Sequence, residues 1–207
     1  VVHQLHRQEY AAVNRSQVDK TVHHLQLAEL MAAAFGGQGA AIRPWLMAVR
    51  ASLLHDLDRD TEAARGFQDA LGLLAAQPDN PHRAAIYQAY SDHAEAMGDL
   101  ALAIWAGKQA IEALAFGEAA SAGLGGEHRA AWLEAFREPF EVLAERLVAA
   151  GRLAEAQAVL GRLKATEFER FTRGGERALM RVGRTQAEAK LEARLAVVQR
   201  PAVETQQ

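Results

Sequence analysis

Apolar positions recur at three- and four-residue spacing along most of the chain, with polar residues between them and short glycine- or aspartate-marked interruptions. This pattern predicts helices. Ser16 is the expected N-cap of a helix running to Phe35 and ended by Gly36-Gly37-Gln38-Gly39, with a further helix over residues 3–14. A long helix is predicted over residues 127–150, with a kink or break at Pro139. Another starts at Leu153 and is broken by Arg173-Gly174-Gly175. A last amphipathic helix covers Thr185 to Gln199 and stops at Pro201, with a disordered tail after it.

Three segments repeat one pattern. Each has a turn residue, Asp58, Gly98 or Gly151. A small residue follows five positions later, Ala63, Ala103 or Ala156, and a second packing residue seven further on, Ala70, Ala110 or Leu163. The physics is that of a helical hairpin. The turn residue ends helix A, where a residue tolerating positive φ is wanted. The small residue on helix B lets the two axes approach, and the next packs on the following hairpin. This pattern resembles the tetratricopeptide (TPR) repeat. The match is partial: the aromatic of helix B is kept as Phe67 but replaced by Gly107, and the repeats are offset by 40 and then 53 residues rather than about 34. The implied fold is an all-α, TPR-like α-solenoid of antiparallel helix hairpins with a helical C-terminal extension. Its expected parts are capping helices or a degenerate repeat at 1–35, the repeat array at 36–172, and a basic extension and tail at 173–207.

A more specific likeness covers about Met97 to Arg173. Gly107-Lys108-Gln109-Ala110-Ile111 is followed, after a long spacer, by Gly151-Arg152-Leu153-Ala154-Glu155-Ala156-Gln157-Ala158-Val159-Leu160 and Leu163-Lys164. These blocks resemble the segment that leads into the caspase-like domain of bacterial TPR–CHAT proteins. That resemblance implies a regulatory, partner-binding region, with recognition passed on through the Leu153–Phe171 helix. A CHAT domain would bring a histidine and a cysteine for catalysis; this chain contains no cysteine and only 34 residues beyond Arg173.

Composition and charge refine this picture. Alanine supplies 45 residues and aromatics only 6%, which favours closely packed helices over a sheet. The net charge of -3 is unevenly spread: residues 1–160 hold 13 basic against 20 acidic side chains, residues 161–200 hold 10 against 5. On the TPR register, the concave groove is lined by Trp45, Ala48, Ser52, His55 and Asp56 in the first repeat. In the second it is lined by Ala85, Gln88, Asp92, Glu95 and Ala96, and in the third by Glu138, Glu141, Glu145, Val148 and Ala149. The basic clamp that chaperone-binding TPRs use for a carboxylate is missing. The acidic lining would favour a basic or neutral protein segment, or else is simply a set of solvated helix faces.

In the extension, Arg170, Arg173, Arg177, Arg181 and Arg184 recur at helical spacing. They could dock onto the acidic body, contact nucleic acid or face solvent. No aromatic residues interleave with them, so no nucleic acid is expected. The eight histidines lack metal-ligand spacing, and His55 and His93 fit packing or groove positions better than a metal site. The glycine-rich stretches lack a phosphate loop's lysine, so no metal or cofactor is expected. Trp45, Phe67, Tyr87, Tyr90, Trp105, Trp132, Phe136 and Phe140 fall at helical spacing and are expected in the packing. The residues thus support a cytoplasmic, non-enzymatic interaction scaffold without a membrane span. The alternatives are a stand-alone TPR adaptor and, more remotely, a helical-bundle enzyme with a histidine-rich site.

Overall fold

The computed structural model describes the backbone of residues 2–121, 126–172 and 183–204, and side chains for 15–37, 39–114, 137–165 and 183–196. Among these residues there are eight helices and no strand. They are α1 (Val2–Ala34), α2 (Gly37–Asp56), α3 (Asp60–Ala75), α4 (Arg83–Ala96), α5 (Leu100–Ser121), α6 (Gly126–Ala149), α7 (Leu153–Thr172) and α8 (Gln186–Glu204). The chain divides into two compact units: Val1–His82 with Ala196–Gln207, and Arg83–Leu195.

Three tight hairpins, α2–α3, α4–α5 and α6–α7, are built around the same turn. Asp58, Gly98 and Gly151 have φ of 60, 78 and 72, the left-handed conformation expected of a helix-ending residue. In each, the N–H of the next residue donates five positions back: Arg59 to the Leu54 carbonyl, Asp99 to Ala94, Arg152 to Leu147. The same residue then starts helix B, its carbonyl accepting from Ala63, Ala103 or Ala156. Those three alanines are buried, as are Ala70, Ala110 and Leu163. The close approach is visible at Gly66, where an added Cβ would stand 3.1 Å from Ala51 Cβ on α2.

In the first unit α1 packs on α2. Val22 joins Leu54 and Ala63 in a small core, and Arg50 forks onto buried Glu29 at 2.6 and 3.2 Å. Pro44 lies inside α2 and has no N–H for the Ala40 carbonyl. Gln77 Nε2 supplies a donor to that oxygen at 3.1 Å, and neighbouring Asn80 donates to the Ala41 carbonyl at 2.7 Å. In the second unit Ile104, Ile111, Phe140, Leu143, Leu147, Ala156, Val159 and Leu163 form a core shared by α5, α6 and α7.

Three boundaries differ from the sequence expectation. Ser16 caps nothing: α1 runs unbroken through it, because no glycine or proline occurs between residues 2 and 34. Helix α6 is continuous through Pro139. Helix α8 continues past Pro201 to Glu204; a proline in the last turn removes only one hydrogen bond, too little to stop the helix there. The break expected at Arg173-Gly174-Gly175 and the tail beyond 204 lie outside the described residues.

Candidate functional site

The second unit holds two clusters of buried polar contacts, one around Arg146 and one around Lys108. The first forms where the hairpin pattern fails. Gly107 on α5 stands where α3 carries Phe67, which is fully buried. A Cβ at Gly107 would meet Leu143 Cδ1 at 3.2 Å and Ser91 Oγ at 3.3 Å, so no aromatic fits. Arg146 on α6 is buried nearby, with 3% of its surface exposed. Its guanidinium donates to Ser91 Oγ at 2.7 Å, to Asp92 Oδ1 at 2.8 Å and to Glu95 Oε2 at 2.7 Å. Ser91 in turn donates to the Ala103 carbonyl at 2.6 Å, which links Arg146 to the backbone of α5. The Arg146 hydrogen bond outweighs partial burial and holds the Glu95 carboxyl below its ordinary range.

Gln88, Asp92, Glu95, Glu138, Glu141 and Glu145 therefore fall into two groups. Gln88 donates to Asp92 at 2.9 Å, and Asp92 and Glu95 are tied to Arg146. Glu138, Glu141 and Glu145 are exposed along α6. Since Arg146 bridges α4 and α6, all six lie on two helices that touch. In the first unit the predicted residues do not gather into one feature. Trp45 stacks on His82 with ring centres 5.4 Å apart, and Ser52 donates to the Ala48 carbonyl of its own helix. His55 Nδ1 lies 2.6 Å from Asp60, and Asp56 is exposed. Among the predicted aromatics, Phe67, Tyr87, Tyr90, Trp105 and Phe140 are buried, Trp45 is half-buried, and the side chains of Trp132 and Phe136 lie outside the described residues. Burial pushes the Tyr90 hydroxyl up to about 12, so it stays protonated at neutral pH.

The second cluster was not foreseen as a site. Lys108 on α5 is only 2% exposed. Its Nζ uses all three donors: Glu155 at 2.8 Å, the Gly183 carbonyl at 2.8 Å and Glu188 at 3.0 Å. Arg152 grips Glu155 with two bonds of 2.7 and 2.6 Å and reaches Glu188 at 2.9 Å. Glu188, also 2% exposed, accepts the Thr185 backbone N–H at 2.8 Å, while Thr185 Oγ1 accepts the Glu188 N–H at 3.3 Å. This is a capping box opening α8. Arg152, opposed by partial burial and helped by Lys108, lowers the Glu155 carboxyl to about 2. Burial pushes Glu188 up, but the Thr185 N–H, Lys108 and Arg152 together outweigh it and leave it below normal.

Two signals for this cluster were present in the sequence: a lysine inside the apolar run Ala103–Ile111, and the Thr185-x-x-Glu188 spacing. The extension meets the body with mixed signs. Arg184 pairs with Glu112 and Glu192 at 3.0 Å, but the buried contact is acidic Glu188 against Lys108 and Arg152. The other arginines of that row, Arg170 to Arg181, have side chains outside the described residues.

Among the described residues no group of three histidine, aspartate or glutamate side chains is placed to hold a metal ion. No described helix is long and apolar enough to cross a membrane. No protein-family model, curated protein or solved structure matches the chain.

Proposed function

We propose that this protein is a non-enzymatic, TPR-like interaction scaffold that presents the exposed faces of α4 and α6 to a basic protein or peptide segment. The observation that carries this reading is the threefold recurrence of one hairpin: a left-handed turn residue, the same backbone bond closing helix A, and a buried small residue on helix B. Hairpins of this kind stack to display extended surfaces rather than to enclose a cavity. The resemblance of residues 97–173 to the segment preceding a CHAT caspase-like domain adds a role in regulation.

The kind of partner is argued from charge. Glu138, Glu141 and Glu145 are exposed along one helix. A basic segment would gain there in encounter rate and specificity more than in raw affinity. The test is binding of a labelled arginine-rich peptide to wild type and to Glu141→Lys/Glu145→Lys. The expected outcome is salt-sensitive binding to wild type, lost in the double variant while its circular dichroism and thermal midpoint stay unchanged. Equal binding by the two proteins refutes the acidic face as the partner site.

A further inference from the structure

We propose that Lys108 and Arg152 form a carboxylate-binding socket, and that Glu188 occupies it as an internal ligand holding the start of α8 in place as a releasable strap. The hairpins themselves point to this. Lys108 occupies the repeat position held by Gln68 in the first hairpin and Gly161 in the third. Both of those residues are exposed. The position is thus open to solvent on helix B of the other two hairpins. On α5 Lys108 is buried instead, with Glu155 of α7 on one Nζ proton and the chain from Gly183 to Glu188 across it, its carbonyl and carboxylate taking the other two.

Charge gives the socket its specificity. Lys108, Arg152 and Glu155 together carry one net positive charge, which Glu188 neutralises. Glu155 is the fixed partner, gripped by Arg152 from the turn that opens its helix, while Glu188 arrives from a separate segment. Each oxygen of Glu188 is directed at a different cation: Oε2 at Lys108 and Oε1 at Arg152. The ligand class is therefore a carboxylate side chain in the first turn of a helix, where the capping box orients it.

The strap has little else to hold it. Of residues 183–196, Glu188 is the single buried one; Thr185, Leu191, Glu192 and Leu195 are half-buried and the rest exposed. Apolar burial therefore contributes little to this contact, and the charge lock dominates it. Removing the strap would return Lys108 and Arg152 to water, where both charges are solvated. A contact of that kind can be exchanged for a competing acidic segment. The socket residues lie on α5, in the turn before α7 and on α7, and none of them is among the acidic residues proposed as the partner face, so it stands or falls independently of the function proposed above.

The experiment has two readouts on the full chain. Hydrogen exchange compares wild type with Glu188→Gln. The expected result is a rise of about tenfold or more for the first-turn amides of α8, with α5 protection unchanged; unchanged α8 exchange overturns the strap. Binding of a labelled peptide of residues 183–195 is then measured against wild type, Glu188→Gln, and Glu188→Gln combined with Lys108→Met or with Arg152→Gln. The socket requires tight binding to the Glu188→Gln chain only, and loss of binding when the peptide itself carries glutamine at 188. Equal binding to all chains, or no binding to Glu188→Gln, overturns it. Lys108→Met keeps the length and apolar stem of the side chain, and Arg152→Gln provides a second route should that variant fail to fold.

Discussion

The first two hairpins share a frame and differ in what fills it. In α2–α3, Ala51 faces Gly66 and Phe67 is buried completely. In α4–α5 the same positions are Ser91, Ala106 and Gly107, and the space an aromatic would take is kept by Leu143 and the Ser91–Arg146 pair. Next to it, exposed Gln68 is replaced by buried Lys108. The first hairpin is held by an aromatic, the second by hydrogen bonds and ion pairs that reach α6, α7 and α8. Apolar packing tolerates many partners, whereas a buried cation demands particular ones; the second hairpin is where the fold specifies its neighbours.

Substitutions can break this contrast, beginning with the largest effect. Phe67→Ala empties a fully buried site and is expected to cost about 3–5 kcal/mol in chemical denaturation. A loss under about 1 kcal/mol would show that the aromatic does not hold the first hairpin. Arg146→Met removes three charge-assisted bonds but leaves Asp92 and Glu95 in contact with water, so a loss of about 1–3 kcal/mol is expected. Should it match Phe67→Ala, the polar cluster would be as central as the aromatic.

A smaller, local effect is expected from pH. Lys108, Arg152, Glu155 and Glu188 face one another, with Arg184, Glu112 and Glu192 beside them. The Glu155 and Glu188 carboxyls are depressed in the folded protein, Glu155 to about 2. Their stabilisation is therefore complete above the unfolded carboxylate value and is lost as pH falls below it towards about 2. Exchange protection at the start of α8 should fade over that window before α5 is affected. Simultaneous loss in both would mean that the strap is not a separate unit.

The smallest effects sharpen the shared frame. Gly98→Ala places a Cβ at φ 78 and is expected to cost about 1–2 kcal/mol, whereas Asp58→Gly relieves φ 60 and is expected to be neutral or slightly stabilising. A thermal loss in Gly98→Ala with none in Asp58→Gly would support equivalent turns; a comparable loss in both would deny it.

The turns were the most legible part of the molecule. Asp58, Gly98 and Gly151, with their alanines five residues on, could be read directly because positive φ and close helix approach each restrict the residue locally. Helix boundaries were legible where glycine marks them and misread at Ser16 and Pro201, where a single residue was asked to overrule a continuing helix. The acidic residues of α4 and α6 were identified by spacing, but the tie of Asp92 and Glu95 to Arg146 was not, since it spans more than fifty positions.

What the sequence alone determined is the all-helical build and the three hairpin turns, because both follow from propensity and short-range spacing. Tertiary structure decided which charges are buried. The apolar run around Lys108 sets that lysine apart in the sequence, but its partners come from a segment 75 to 80 residues further along the chain that lies over it. A local pattern can flag a residue as unusual, but which partners meet it depends on what the rest of the chain brings close.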